Sequence, residues 1–354
     1  MNFYKYYFFN NKPFEKRNKN IKTPHNFIAA QRVLSPIDFY GKETLQLREG
    51  LIKNKYLSIY PQIARKSSNG LGDFITENET SNTKNFSRII VLTSGKGGVG
   101  KTTATANIGT SIARLGYKVA LIDADIGLRN LDLLLGLENR VLYTAIDILE
   151  GQCRLNQALI RDKRWKNLSV LAISKNRQRY NVTKKNMENL VQSICSLGYQ
   201  FILIDCPAGI DIGFINAISP AQEAILVTTP EITAIRDADR VAGLLEANGI
   251  FNVKLLINRI KPDMIRKNHM MSIKDVQEML GIPLLGAIPE DTNVILSTNK
   301  GEPLVLKKDI SLAGIAFENA ARRLIGKQDY FIDLEDPYKG FFQKVQNFFL
   351  GSDS

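Results

Sequence analysis

The chain has 354 residues and a formal net charge of +12, a length that fits two units, or one large α/β domain with an appendage. Hydrophobic residues make up 44% of it, yet no stretch approaches the roughly 18 consecutive apolar residues of a membrane-spanning helix. Three cysteines without C-x-x-C spacing and two histidines argue against a disulfide framework and a Cys/His metal site. An integral membrane protein is therefore excluded, and a reducing compartment is expected.

The basic excess is unevenly distributed along the chain. Residues 1–88 contain 15 Lys and Arg against 7 Asp and Glu, which leaves +8 there and only +4 in the remaining 266 residues. Because nucleic-acid binding needs a basic surface on the folded body, this distribution gives little support to that class of function.

Residues 1–86 are predicted to form a poorly ordered basic extension. The first twenty residues are rich in Asn, Lys, Phe and Tyr, and residues 67–87 have the polar composition of a linker. Residues 44–60 are predicted to form one short helix. Polar residues interrupt any apolar core of a secretory signal, whereas a transit peptide over residues 1–36 stays an open alternative.

From residue 88 onward, short apolar runs alternate with longer helical patterns. The runs are continuous and rich in β-branched residues, which indicates parallel strands that are buried on both faces. They occupy residues 89–92, 119–122, 168–173, 201–204, 224–227, 253–257 and 284–288.

Four helical patterns lie between these predicted strands and a fifth follows the last strand, and several of them end at a glycine, a usual helix stop. They cover residues 102–115, 183–197, 236–248, 273–280 and 314–325. The alternation predicts, over residues 87–330, a doubly wound α/β fold with a mostly parallel sheet and helices on both faces.

The strongest motif is S-G-K-G-G-V-G-K-T-T at residues 94–103. It follows a predicted strand and opens a predicted helix, which is the context that a phosphate-binding P-loop requires. The backbone N–H groups of such a loop and the helix N-terminus bind phosphate oxygens. Lys101 would contact the β- and γ-phosphates, and the Thr102 hydroxyl would bind Mg²⁺. The predicted nucleotide-binding residues of the loop are Gly95, Lys96, Gly97, Gly98, Val99, Gly100, Lys101, Thr102 and Thr103.

Acidic residues follow two of the predicted strands. Asp123 and Asp125 come after one buried run, and Asp205 comes directly after another. Ligands of α/β proteins bind at the carboxyl ends of the strands, so we expect these carboxylates beside the P-loop.

Lys96, five residues before Lys101, gives the loop the form K-G-G-x-G-K-T. This form resembles the deviant Walker A motif of the MinD/ParA family of nucleotide-switch ATPases. The resemblance implies a P-loop ATPase that uses ATP and Mg²⁺, in which Lys96 crosses a homodimer interface to the partner's phosphates. It also implies that Asp125 orients the attacking water, that Asp205 holds the Mg²⁺ shell, and that Gly209 senses the γ-phosphate. Lys96, Lys101, Asp125 and Asp205 are thus the catalytic candidates.

The same resemblance places two further segments around the adenine base. They contain Asn258, at the end of one predicted strand, and Pro289 with Asp291, at the end of another. The guanine-reading motif N-K-x-D is absent from the sequence, which favours ATP. Asn258 is therefore the preferred base contact.

Four segments resemble the MinD branch of the family, and the likeness extends from about residue 87 to the C-terminus. This branch implies a membrane-cycling ATPase that places the division site, a MinE-like activator near helix 236–248, and a MinC-like inhibitor. The nitrogenase iron protein is excluded because it needs paired cysteines for its cluster. The segments are residues 128–140, 153–164, 230–240 and 289–303.

Residues 331–354 are predicted to form a C-terminal tail with an amphipathic helix at about 338–350. Its aromatic stripe indicates an anchor in an anionic membrane surface; the alternative is a helix that covers the protein's own core. The predicted anchor residues are Phe341, Phe342, Lys344, Val345, Phe348 and Phe349.

Two alternatives and one choice of compartment complete these predictions. A ParA-like DNA-partition ATPase would require ATP-dependent, salt-sensitive DNA binding, and an adaptor with an inactive nucleotide site would release no phosphate. The AT-rich coding bias of the extension favours a plastid stroma, with attachment to the inner envelope and no specific nucleic acid. A bacterial cytoplasm and inner membrane is the alternative location.

Overall fold

The structure is a computed structural model that describes residues 87–125, 130–174 and 182–327. The predictions for the extension 1–86, including the helix at 44–60, lie outside these residues. So do those for the tail 331–354 and its six anchor residues. These predictions therefore remain untested.

The core of the fold is one eight-stranded sheet in the order β3-β4-β2-β5-β1-β6-β7-β8. All neighbouring strands pair in parallel except β3 and β4, which are antiparallel. The predicted doubly wound architecture is confirmed, and the short edge strand β3 is an addition to it. The strands are β1 (Arg88–Thr93), β2 (Val119–Asp123), β3 (Ile160–Arg161), β4 (Leu168–Ala172), β5 (Phe201–Asp205), β6 (Glu223–Thr228), β7 (Asn252–Ile260) and β8 (Leu284–Pro289).

Helices cover both faces of this sheet. Ile89 and Val91 of the central strand belong to one hydrophobic core, and Ile90 and Leu92 belong to the other. The continuous apolar run of β1 arises because both of its faces are buried. The helices are α1 (Lys101–Arg114), α2 (Leu131–Leu134), α3 (Ala145–Leu149), α4 (Leu155–Ala158), α5 (Lys184–Ser196), α6 (Ile212–Ile218), α7 (Ile232–Ala247), α8 (Pro262–Arg266), α9 (Ile273–Leu280), α10 (Asn293–Asn299) and α11 (Leu312–Leu324).

The five longer helices were predicted, whereas the short ones were not. An element of four to seven residues has too few positions to display a 3.6-residue period, which explains the omission of α2, α3, α4, α6, α8 and α10. Across the described ranges, no helix combines the length and the apolar character needed to cross a bilayer.

Three strand ends meet at the carboxyl edge of the sheet and position the candidate site. Strand β5 lies between β1 and β2, so that Asp205 is in register with Leu92 on one side and with Asp123 on the other. The loop after β1 therefore opens directly beside two buried carboxylates.

Candidate functional site

The loop between β1 and α1 has the backbone geometry of an anion cradle. Gly98 and Gly100 have φ values of +77° and +98°, in the left-handed region that glycine adopts without steric cost. The Ala104 N–H donates to the Gly100 carbonyl at 2.9 Å, and the N–H groups before it are those that a helix start leaves unpaired. These groups and the helix dipole favour a phosphate at this position.

Lys101 and Asp205 form a buried ion pair at the base of the loop. The Nζ of Lys101 lies 3.3 Å from Oδ1 of Asp205, and their side chains are only 8% and 1% exposed. The Thr105 hydroxyl donates to the same carboxylate oxygen at 3.3 Å. Burial raises the pKa of Asp205, while the Lys101 charge and the hydroxyl groups of Thr102 and Thr105 oppose that rise. The pair thus holds two charges away from water at the loop.

The second carboxylate oxygen of Asp205 fits a ligand of a Mg²⁺ ion. This atom, Oδ2, is buried and has no hydrogen-bond partner among the residues that the structure describes, and an unpaired buried carboxylate oxygen is costly. Within the same residues, no group of three or more acidic, His or Cys side chains forms a complete metal site. Mg²⁺ is commonly held by one or two protein ligands together with water and substrate phosphates, so Thr102 and Asp205 fit it.

Asp123 engages the backbone of the following segment. Its Oδ1 accepts from the Asp125 N–H at 3.2 Å, and its Oδ2 accepts from the Asn130 and Leu131 N–H groups at 3.2 and 3.1 Å. Burial, and next the Asp205 charge, raise the pKa of Asp123 to about 7, although these N–H groups act in the opposite direction. Asp125 is partly exposed at the mouth of the site.

Lys96 is held by a neighbour within the same chain. Its Nζ lies 3.0 Å from the Glu231 carboxylate, and the two side chains are 46% and 55% exposed. An exposed pair of this kind is worth about 0–1 kcal/mol, so it can exchange readily for another partner. Beside it, a Cβ on Gly95 would lie 2.4 Å from the backbone carbonyl of Asp237 in α7. The P-loop therefore packs directly on this helix.

Asn258 also contacts the P-loop. Its buried side-chain amide donates to the Val99 carbonyl at 2.7 Å, and a Cβ on Gly100 would lie 2.2 Å from that amide nitrogen. Ile260 and Pro289 are paired in the adjacent strands, so the two predicted adenine segments share one edge of the sheet. Asn258 thus supports the loop, in addition to its predicted contact with the base.

The sequence alone did not identify three residues that contact the predicted site. Thr105 lies one helical turn after Lys101, and an i, i+4 relation places both on one helix face; this signal was available. Glu231 and Asp237 contact the loop through tertiary packing, and no local pattern indicates such contacts.

A family profile described as the CobQ/CobB/MinD/ParA nucleotide binding domain matches residues 90–304. This span begins in β1 and includes the P-loop, both acidic strand ends and Asn258. The match therefore covers every predicted site residue apart from those of the C-terminal tail.

Two curated relatives are similar over most of the chain. A septum site-determining MinD protein of Chlorella vulgaris is 79% identical over 280 residues, which is 79% of this chain and 99% of the relative. The chloroplastic septum site-determining MinD homologue of Arabidopsis thaliana is 58% identical over 263 residues, 72% of this chain and 81% of the relative.

Two solved structures share the fold at substantial identity. A chain of the MinC:MinD cell division protein complex of Aquifex aeolicus is 47% identical with a TM-score of 0.64, and the alignment covers 69% of this chain and 98% of that one. The septum site-determining protein MinD of Pyrococcus horikoshii, complexed with Mg-ADP, is 32% identical with a TM-score of 0.60, over 69% and 100% of the two chains.

Proposed function

The chain belongs to the CobQ/CobB/MinD/ParA nucleotide-binding family, and from that premise we propose that it is a MinD-type ATPase switch that places the division site of a plastid. The observation that carries this proposal is the buried Lys101–Asp205 pair beneath a glycine-rich loop that also contains Lys96. The relatives of this chain that are named for septum-site determination include a chloroplastic protein. The protein therefore hydrolyses ATP to ADP and phosphate.

Each residue of the site has a distinct part in binding and hydrolysis. The backbone of residues 95–103 binds the phosphates, and Lys101 stabilises the negative charge that develops on them. A Mg²⁺ ion held by Thr102 and Asp205 would supply further positive charge at the β- and γ-phosphates. Asp125 orients the attacking water, and Gly209, which has a φ of +98°, lies in the segment that senses the γ-phosphate.

Dimerisation couples the nucleotide to the rest of the cycle. In the single chain Lys96 is paired with Glu231 at the surface, and because that pair is weak, Lys96 can transfer to the partner's phosphates. There it would act as a cation supplied in trans to the transition state. ATP therefore favours the homodimer, and hydrolysis dissolves it.

The C-terminal tail converts the dimer into a membrane-bound species. Each buried Phe contributes roughly 1.5–3 kcal/mol before the cost of ordering the tail. A single anchor of this size binds only marginally, whereas two anchors on one dimer gain about 10²–10⁴ in avidity. ATP-dependent dimerisation thus becomes recruitment to an anionic membrane, and hydrolysis becomes release.

Two partners and a location complete the proposal. The Aquifex relative was solved with MinC, which supports a MinC-like inhibitor as a partner. A MinE-like activator would bind at α7, and because Gly95 packs against that helix, its binding would act directly on the P-loop. The protein would cycle between the plastid stroma and the inner envelope.

Co-sedimentation with anionic liposomes tests the membrane switch. The full chain should sediment with ATP and not with ADP, and a truncation after Tyr338 should not sediment with either nucleotide. Phe342→Asp should abolish binding, since it places a charge on the apolar stripe. The matched control Gln346→Asp places the same charge on the polar face and should reduce binding only modestly.

Liposome binding that is the same with ATP and ADP, and with and without the tail, would contradict the membrane proposal. A DNA-partition ATPase would instead show ATP-dependent DNA binding that weakens steeply as salt is added. A gel shift across a salt series separates this outcome from membrane recruitment.

A further inference from the structure

One buried carboxylate joins the two ends of the segment that carries Asp125. Asp123 is the last residue of β2 and is 2% exposed. Its two oxygens accept three backbone N–H groups, from Asp125 on the near side and from Asn130 and Leu131 on the far side. All three donors belong to the backbone, so the carboxylate fixes main-chain positions without a side-chain partner.

Placing this carboxylate beside a second buried carboxylate costs folding free energy. Asp123 and Asp205 are register partners on adjacent strands, so two buried carboxylates lie side by side at the carboxyl edge. Like charges at short range oppose each other, and a purely structural loop contact can be made elsewhere without that cost. Three backbone N–H groups on one buried side chain do, however, hold the main chain on both sides of it in place.

We propose that Asp123 is a positioning residue for the hydrolysis step. Through the Asp125 N–H it fixes the backbone from which the Asp125 carboxylate orients the attacking water. The inference rests on the role proposed above for Asp125. The three bonds that the structure shows at Asp123 all come from backbone N–H groups, so its effect on the reaction would pass through the main chain.

The fold contains a matched carboxylate at the opposite edge of the sheet. Asp162 is also buried, and its Oδ1 accepts the backbone N–H groups of Arg164 and Trp165 at 2.7 and 3.1 Å. This contact closes the turn between β3 and β4, away from the P-loop. Asp162→Asn therefore perturbs the same kind of backbone contact, together with the ion pair to Arg164, without touching the site.

Single-turnover hydrolysis, with the full chain in excess over Mg-ATP at a saturating protein concentration and with vesicles that contain phosphatidylglycerol, tests the role of Asp123. Asp123→Asn keeps the side-chain volume but replaces one acceptor oxygen with a donor. It should lower the rate on the order of 10²-fold, as small misplacements of catalytic groups do, and leave ATP affinity unchanged. Asp162→Asn should lower neither the rate nor the affinity.

A double-variant cycle separates positioning from an independent role. If Asp123 acts through Asp125, the variant with both Asp123→Asn and Asp125→Ala should be as slow as Asp125→Ala alone. Losses that multiply in the double variant, or a loss of ATP affinity that accompanies the loss of rate in Asp123→Asn, would overturn the inference. So would an unchanged rate in Asp123→Asn.

A measurement on the unaltered protein covers the case in which Asp123→Asn does not fold. The amide hydrogens of Asp125, Asn130 and Leu131 should exchange slowly in the full chain, because each is bonded to Asp123. Exchange at the rate of an open loop would contradict the inference. A wild-type chain that releases no phosphate under any condition would instead contradict the proposed ATPase, so the two failures are distinguishable.

Discussion

The carboxyl edge and the amino edge of the central sheet differ in how their buried charged groups are paired. At the carboxyl edge, Asp123 and Asp205 have raised pKa values, and one oxygen of Asp205 lacks a partner within the described ranges. At the amino edge, Glu223 receives two hydrogen bonds of 2.7 Å from the Arg88 guanidinium. An unpaired carboxylate oxygen thus lies where a nucleotide and a metal ion would bind.

The amino edge is satisfied by neighbours of the same chain. The Lys118 ammonium donates to the Leu197 carbonyl at 2.6 Å and lies 4.6 Å from the centre of the Tyr199 ring, and Arg164 pairs with Asp162. These contacts stabilise the fold. Substitutions at the two edges should therefore separate activity from stability.

The largest effect is expected from Lys101→Ala. This variant removes the cation that faces the phosphates and leaves Asp205 buried without its ion-pair partner, so ATP hydrolysis should fall by about 10²–10³-fold or more. The matched change at the amino edge, Arg88→Ala, should cost roughly 1–3 kcal/mol of unfolding free energy and retain hydrolysis. Turnover assays with urea unfolding measure both quantities, and equal loss of activity in the two variants would remove the distinction between the edges.

A smaller effect is expected from Gly95→Ala. The added Cβ would lie 2.4 Å from the Asp237 backbone, and overpacking of this kind costs about 1–3 kcal/mol. Displacement of the loop should weaken ATP binding by about 5- to 150-fold.

The control for Gly95→Ala is a glycine remote from the P-loop. Gly249 follows α7, has a φ of +84°, and has no atom within 4 Å of an added Cβ. Gly249→Ala should lower stability by about 1–2 kcal/mol through its left-handed backbone and leave ATP affinity intact. Unchanged affinity in Gly95→Ala would show that the loop and α7 are not in firm contact.

The smallest effect concerns Asp162 and pH. Burial alone would raise the pKa of Asp162, but the side chain and N–H of Arg164 and the N–H of Trp165 bring the net pKa below its usual range. A lowered folded pKa contributes stability above the unfolded value of about 3.9, and this contribution is lost as pH falls through the folded pKa. Asp162→Asn should therefore be less stable than wild type at pH 7 and lose less stability in acid.

Urea unfolding at neutral pH and in acid measures this difference. Wild type and Asp162→Asn should differ most at pH 7 and converge as the pH falls below 4. Parallel curves at all pH values would show that the ion pair with Arg164 does not control the titration of Asp162.

The sequence allowed the sheet and the phosphate site to be predicted because both depend on local patterns. Continuous apolar runs identify strands such as β1, and the spacing of Lys96 and Lys101 identifies the loop. Glu231 and Asp237 contact that loop although they lie more than a hundred positions away in the chain. The periodicity of apolar residues does not predict contacts of this kind. For Asp123 the position was predictable but the backbone donors were not, because they depend on how the chain returns to the strand end at Asn130.

The central claim is that the nucleotide controls association of two copies of the chain, with Lys96 leaving its pair with Glu231 for the partner's phosphates. Sedimentation velocity of the full-length Asp125→Ala variant, in which hydrolysis is slowed, tests this claim most directly. A dimer with Mg-ATP and a monomer with Mg-ADP are expected, and addition of Lys96→Ala should abolish the dimer. A monomer with both nucleotides, or a dimer that persists with ADP and without Lys96, would contradict the account.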